Sequence, residues 1–162
     1  MTARLTRPRT IHEISRRSVA GEQGFDPAVR EFLDVFYSNP DERNAAIARR
    51  PLDVSAVKDA YLSAVAEHLA RLYGLQIPPW SDTHGHGLRR PFFAGGMESM
   101  KALLTVQSPT AFRRRMLFVS RDALDRPRQH SSATEAPQSG RPSLDATHAR
   151  IYRGAMTEKA PE

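Results

Sequence analysis

The chain contains no cysteine, which excludes disulfide bridges, thiol nucleophiles and cysteine-ligated zinc sites. A cysteine-free chain suits a reducing compartment, so a cytoplasmic location is predicted. No apolar run approaches the roughly 18–20 residues that are needed to span a bilayer. The basic start of the chain is not followed by the apolar core of a signal peptide. We therefore expect a protein that is neither secreted nor embedded in a membrane.

Lysine is also scarce: only Lys58, Lys101 and Lys159 occur, so nearly all of the positive charge is arginine. The net charge of +6 and the isoelectric point near 10.3 are typical of proteins that bind nucleic acid. A composition rich in arginine, alanine and proline is also what a GC-rich genome produces through its codon usage. The charge alone therefore leaves direct binding of nucleic acid open.

Apolar residues at helical spacing predict an all-α domain over residues 10–125, with four to six helices around a long central helix. That central helix covers residues 53–73 and ends at Gly74, which suits a left-handed C-cap. Its predicted inward face consists of Val54, Val57, Tyr61, Val65, Leu69 and Leu72. A further helix predicted over 97–106 has Met100, Leu103 and Leu104 on its inward face. The predicted helix N-caps are Thr10, Asp26, Asp41, Asp53 and Ser108. The apolar segments 92–94 and 117–119 allow one short strand pair.

The two ends of the chain differ from this domain. Residues 1–9 are expected to form a flexible basic arm. Residues 126–162 are rich in serine, threonine, proline, glycine and glutamine, with few apolar side chains. Such a composition cannot bury enough apolar surface to offset the entropy of ordering, so a disordered tail is predicted.

Three consecutive arginines, Arg113 to Arg115, follow the short predicted helix that Ser108 and Pro109 open. Side chains at consecutive helical positions point about 100° apart, so the three cannot all face one surface. They either neutralise the helix C-terminus and are solvated, or one or two of them contact carboxylates or phosphates of a partner. A second basic pair, Arg89-Arg90, lies just before the aromatic residues Phe92 and Phe93, which could either close the core or anchor a partner. The predicted partner-binding residues are Trp80, Arg89, Arg90, Phe92, Arg113, Arg114 and Arg115.

The alternative function is a nucleic-acid-binding regulator that uses the basic arm together with the arginine cluster. The arm residues proposed for this role are Arg4, Arg7, Arg9, Arg16 and Arg17. Phosphate contacts from such residues would give binding that depends steeply on salt.

Catalytic and metal-binding patterns are weak in this sequence. Asp82, His84 and His86 form the one cluster of metal-ligand residue types, but no further ligand follows at a diagnostic spacing, so a polar surface loop is predicted. Carboxylates such as Asp59 and Glu67 are expected at helix caps or on polar helix faces. We therefore predict a chain that is not an enzyme and has no cofactor or metal.

Three segments within residues 25–125 carry a resemblance: 57–80, 91–101 and 108–120, the last reading Ser108-Pro109-Thr110-Ala111-Phe112-Arg113-Arg114-Arg115-Met116-Leu117-Phe118-Val119-Ser120. They resemble small bacterial proteins of uncharacterised type that are associated with operons encoding a nucleotidyltransferase-type toxin, where those proteins resemble antitoxin or accessory partners. The resemblance implies a non-catalytic, antitoxin-like interaction protein whose partner is such a toxin. Some relatives carry a helix-turn-helix region, but residues 1–50 contain no turn typical of a recognition helix.

Overall fold

The computed structural model describes residues 6–82 and 87–126. Within them the chain forms six α-helices, three 3-10 turns and one two-stranded sheet. The helices are α1 (Ile11–Val19), α2 (Phe25–Ser38), α3 (Arg43–Ala48), α4 (Ala56–Tyr73), α5 (Lys101–Gln107) and α6 (Thr110–Arg113). The strands are β1 (Phe92–Phe93) and β2 (Leu117–Phe118), and the 3-10 turns are Pro40–Glu42, Pro79–Asp82 and Glu98–Met100. The predicted mainly helical fold with one short strand pair is confirmed. Residues 1–5 of the predicted arm and residues 127–162 of the predicted tail lie outside the described residues.

Helix α4 forms the centre of the core, as the sequence predicts. It is buried on almost every side over residues 60–70, which suits its many alanines and lets neighbouring helices approach closely. Gly74 adopts the left-handed conformation at its C-cap, with φ of 64°. The largest fully buried apolar side chains of α4 are Leu62, Leu69 and Val65.

The helix starts differ from the prediction at four of the five caps. Thr10 caps α1 by accepting a hydrogen bond from the backbone N–H of Glu13, as predicted. Helix α2 begins at Phe25, α3 at Arg43 after a 3-10 turn, α4 at Ala56 and α6 at Thr110. Asp26, Asp41, Asp53 and Ser108 are therefore not the caps; α4 is capped by Ser55, whose hydroxyl accepts from the Lys58 N–H. Local spacing cannot separate neighbouring residues that are all good caps.

Two predicted core positions face solvent instead. Leu72 on α4 and Leu103 on α5 are both exposed, whereas Leu69 and Leu104 are buried. Each pair lies at the margin of an apolar stripe, where the position of neighbouring elements decides which residue is covered.

The segment after β2 packs across α2. The Tyr37 hydroxyl donates a hydrogen bond to the Leu124 carbonyl at 2.8 Å, and the Arg126 guanidinium makes a two-pronged ion pair with Asp34 at 2.8 and 3.2 Å. The folded part of the chain therefore reaches Arg126, the first residue of the predicted tail.

In the part of the chain that the structure describes, no helix combines the length and the apolar character that crossing a membrane requires.

Truncation of Leu69 tests the central position of α4. We expect Leu69→Ala to lower the free energy of unfolding by about 2–5 kcal/mol, because it removes a fully buried side chain and leaves a cavity. Leu72→Ala, three residues along the same helix but exposed, is the matched control, with a change within about 0.5 kcal/mol. Urea denaturation of both variants measures the difference. Equal losses would contradict the assigned orientation of the helix.

Candidate partner-binding site

The three consecutive arginines after Phe112 point in different directions, as helix geometry requires. Arg113 is exposed, Arg114 is about half exposed and Arg115 is buried. They occupy the end of α6 and the turn that leads into β2. The structure therefore gives each guanidinium a different environment.

Arg115 holds three elements together from inside the protein. Its Nη1 donates to Glu67 Oε2 of α4 at 2.6 Å and to the Ala111 carbonyl of α6 at 2.7 Å. Its Nη2 donates to the Ser81 carbonyl in the 3-10 turn Pro79–Asp82. A buried guanidinium is tolerated only when it is paired and hydrogen-bonded, and these contacts meet that requirement.

Glu67 is the carboxylate on which this cluster converges. It is only 1% exposed, and besides Arg115 its Oε1 accepts from Arg114 Nη1 at 2.7 Å and from Arg71 Nε at 3.0 Å. Burial acts to raise the pKa of Glu67, but the hydrogen bond and charge of Arg115, with those of Arg71 and Arg114, outweigh it and lower the pKa below the ordinary value of 4.5. Glu67 is therefore an ionised structural carboxylate, and its prediction as a residue of a polar helix face is wrong.

Arg114 links this buried cluster to the surface. Its Nη1 contacts Glu67, and its Nη2 donates to Asp82 Oδ1 at 2.8 Å. The hydrogen bond to Asp82, followed by the charge of Glu67, raises the pKa of Arg114. Asp82, one of the three residues of metal-ligand type noted in the sequence, is thus an ion-pair partner of Arg114, while His84 and His86 lie outside the described residues.

Met116 follows the arginines in a strained backbone conformation. Its φ is 59°, and it is the one non-glycine residue with positive φ among residues 6–82 and 87–126. The left-handed region costs a side-chain-bearing residue of this kind about 1–2 kcal/mol. Its side chain is also 37% exposed, so a large apolar group is held at the surface. Strain of this kind persists where the surrounding structure enforces it and often marks a functional position.

Two backbone hydrogen bonds bring the second basic pair to the same place. The Leu88 N–H donates to the Arg115 carbonyl at 3.1 Å, and the Phe92 N–H donates to the Met116 carbonyl at 2.8 Å. Exposed Arg89 and Arg90 lie between these two points. We call the exposed residues Arg89, Arg90, Arg113 and Met116 the basic turn. Within the described chain, no carboxylate forms an ion pair with its three arginines.

The predicted aromatic anchors occupy more enclosed positions. Phe92 is half-buried and packs against the core beside the basic turn. The Trp80 indole N–H donates to the carbonyls of Ile47 and Ala48, at 3.2 and 2.9 Å, so its polar edge is used within the fold at the end of α3. The backbone of Trp80 belongs to the 3-10 turn Pro79–Asp82, in which Ser81 contacts Arg115 and Asp82 contacts Arg114.

The residues proposed for nucleic-acid binding are largely engaged with the chain itself. Arg9 forms an ion pair with Glu42 at 3.6 Å, Arg16 pairs with both carboxylate oxygens of Glu22 at 3.0 and 3.1 Å, and Arg17 is buried. Arg17 donates to Gln23 at 3.3 Å and lies 3.9 Å from Glu13, and its Nε has no hydrogen-bond partner in the described chain. Arg7 is exposed, and Arg4 lies outside the described residues. The structure does not gather these arginines into one exposed patch.

Sequence reasoning missed two residues of this site, Glu67 and Met116. Glu67 had a recognisable signal, because it lies within a run of apolar and alanine residues on α4 and four residues from both Ser63 and Arg71. Met116 had none, because its conformation is imposed by α6 on one side and β2 on the other.

The lowered pKa of Glu67 predicts a specific loss of stability in acid. Between its folded pKa and 4.5 the unfolded chain binds more protons at this residue, so the stabilisation is complete above about pH 4.5 and is lost as the pH falls through the folded pKa. We expect Glu67→Gln to be less stable than the wild type at neutral pH. The difference between their free energies of unfolding is expected to narrow below about pH 4.5. Urea denaturation at a series of pH values measures it.

His68 and the surface charges each need a control in that comparison. Burial lowers the pKa of His68 from 6.5 and the charge of Glu67 acts to raise it, so replacing Glu67 also changes the titration of His68. Both proteins are therefore compared in a His68→Gln background, which removes this titration from each of them. Glu98→Gln removes an exposed carboxylate that pairs with Lys101 and is expected to follow the wild type across the range. A constant gap between Glu67→Gln and the wild type would contradict the assignment.

The strained backbone at Met116 predicts a substitution that stabilises the protein, whereas Glu67→Gln destabilises it. Met116→Gly is expected to raise the free energy of unfolding by roughly 0.5–1 kcal/mol, because glycine adopts positive φ without a steric cost. The steric strain that is removed exceeds the extra conformational entropy that glycine gives the unfolded chain. Met97 is also exposed but has φ of −90°, so Met97→Gly is expected to destabilise the protein. Equal effects in thermal or urea denaturation would show that Met116 is not strained.

Comparisons with known proteins add no relative: no family model matches the chain, and no match is found among curated proteins or solved structures. The function therefore has to be inferred from the geometry of the basic turn and the cluster that supports it.

Proposed function

We propose that this chain is a non-catalytic interaction protein that binds an acidic protein partner through the basic turn. One observation carries the proposal: two basic segments separated by more than 20 residues meet around an exposed methionine, and no carboxylate of the described chain forms an ion pair with the arginines there. Guanidinium groups bind carboxylates with two parallel hydrogen bonds, and methionine and arginine are both enriched at protein interfaces.

The electrostatics favour a negatively charged partner. Around Glu67 and Asp82 the structure gathers the guanidiniums of Arg71, Arg114 and Arg115, and the basic turn adds three more. Together the Glu67 cluster and the basic turn hold six guanidiniums and two carboxylates, so these groups carry an excess of positive charge. Such a field steers an acidic partner towards the surface and disfavours a basic one.

The rigidity of the site also supports a binding role. Arg115 and Glu67 fix the start of the turn, and the bond from Phe92 to the Met116 carbonyl fixes its end. A surface that is ordered before binding loses less entropy when the partner arrives. Because Glu67 and Asp82 are both hydrogen-bonded to arginines, neither is a free general acid or base, which favours a non-catalytic role.

The resemblance noted in the sequence suggests a nucleotidyltransferase-type toxin as the partner, and an antitoxin-like role follows from that resemblance alone. Binding of nucleic acid is the alternative. It is less well supported, because Arg9 and Arg16 of the proposed arm form ion pairs within the chain and Arg17 is buried.

Charge reversal tests the proposal with a control that the sequence itself supplies. Arg89-Arg90-Pro91 and Arg49-Arg50-Pro51 are identical tripeptides with exposed arginines. We expect Arg89→Glu/Arg90→Glu to weaken partner binding at least about tenfold and Arg49→Glu/Arg50→Glu to leave it nearly unchanged. Affinity capture from the native host, followed by mass spectrometry and titration of the purified partner, measures both effects.

Equal binding by the two variants would contradict the basic turn as the interface. Recovery of nucleic acid without a stable protein partner, with an affinity that falls by orders of magnitude between low and moderate salt, would favour the nucleic-acid alternative instead.

A further inference from the structure

The two edges of the β1–β2 sheet differ in whether their outward-pointing backbone groups are hydrogen-bonded. On the outer side of β2, the buried Ser108 hydroxyl donates to the Leu117 carbonyl at 3.3 Å and accepts from the Val119 N–H at 3.2 Å. These are the two backbone groups that a further strand on that side would use. A side chain therefore closes this edge, which also explains why Ser108 does not cap α6.

The outer side of β1 has no such closure. The N–H groups of Phe92 and Ala94 point to β2, where they donate to the Met116 and Phe118 carbonyls at 2.8 and 2.9 Å. Because successive residues of a strand alternate, the N–H of Phe93 and the carbonyl of Pro91 point away from β2. Within the described residues, neither group has a hydrogen-bond partner, and Pro91 is exposed.

These two groups fit one residue of an added parallel strand. In parallel pairing a single residue donates its N–H to one neighbour and accepts at its carbonyl from the neighbour two positions further on. Pro91 and Phe93 are two positions apart and supply that acceptor and that donor. Proline provides no N–H of its own, so pairing cannot extend towards Arg90, which limits uncontrolled edge-to-edge association.

Charge identifies the occupant of this edge. Arg89 and Arg90 immediately precede Pro91, so a parallel strand would carry its preceding residues past two exposed guanidiniums. A second copy of this chain that added its β1 in the same parallel direction would bring its own Arg89 and Arg90 into the same region, where like charges repel. A segment with acidic residues just before an extended apolar stretch complements both features.

We propose that the partner binds by adding a strand to β1: an extended segment whose acidic residues contact Arg89 and Arg90 while its next residues pair with Pro91 and Phe93. This inference rests on the proposed function, because it names how the acidic partner of the basic turn is held. Main-chain pairing at a sheet edge combined with side-chain recognition is a recurrent way of binding peptides.

A synthetic peptide tests this mode directly. The probe is acetyl-Asp-Glu-Val-Thr-Val-amide, titrated into the ¹⁵N-labelled full chain at constant ionic strength. We expect the Phe93 amide to shift and its hydrogen exchange to slow about tenfold or more at saturation, as for an amide that gains a hydrogen bond. The same peptide with N-methyl groups on its last three residues keeps its charge, but it has no N–H to donate to the Pro91 carbonyl and its methyl groups prevent the close approach of the strands. We expect it to leave the exchange of Phe93 unchanged.

A variant of the chain gives a second readout in the opposite direction. Pro91→Ala adds an N–H on the open edge, so we expect it to bind the unmethylated peptide roughly fivefold more tightly, by one additional hydrogen bond. The affinity for the N-methylated peptide is expected to stay the same. An unchanged affinity of Pro91→Ala for the unmethylated peptide would overturn the strand-addition mode.

The outcomes separate the two proposals. Shifts at Arg89, Arg90, Arg113 and Met116 with no protection of Phe93, and equal binding of both peptides, would overturn strand addition and leave the basic turn as the binding surface. No shift at any of these residues would overturn strand addition, and the capture experiment with the charge-reversal variants then decides the proposed function separately.

Discussion

A single buried carboxylate, Glu67, makes the arrangement of the arginines possible. Three guanidiniums donate to it, from α4 itself and from the end of α6 and the turn beyond. Without this negative charge the interior position of Arg115 would be strongly unfavourable, since an unpaired buried guanidinium is not tolerated. Through Arg115, which lies just before the chain enters β2, this pairing links α4 to α6 and to the 3-10 turn Pro79–Asp82.

The consequence is a division of roles among three identical side chains. Arg115 is structural, Arg114 connects the buried carboxylate to the surface at Asp82, and Arg113 remains exposed and free of carboxylates of the described chain. Only some members of the cluster are therefore available to a partner, and the buried members fix the geometry of the exposed ones. Their shared counterion also explains how a strongly basic chain holds so many guanidiniums close together.

The same turn links the surface to the small sheet. Met116 adopts positive φ as the chain reverses between α6 and β2, and its carbonyl then accepts from Phe92 at the start of β1. The backbone strain, the exposed methionine and the pairing of β1 are therefore parts of one local structure. Ser108 completes it by closing the opposite edge, so that β1 is left as the accessible side.

The sequence by itself determined the helical class, the central helix with its Gly74 cap and the divergence of Arg113, Arg114 and Arg115, because each follows from local periodicity, backbone conformation or helix geometry. It only allowed the short strand pair, because the pairing joins two segments that are distant in the sequence. It did not determine where the helices start, whether Leu72 and Leu103 face the core or solvent, or that Glu67 is buried. In each case several neighbouring residues satisfy the same local rules. Only the tertiary structure decided that Arg89 and Arg90 meet the turn at Met116, because backbone hydrogen bonds between distant segments create that proximity. The strained φ of Met116 has the same origin: it is a property of two packed elements and not of the residue between them.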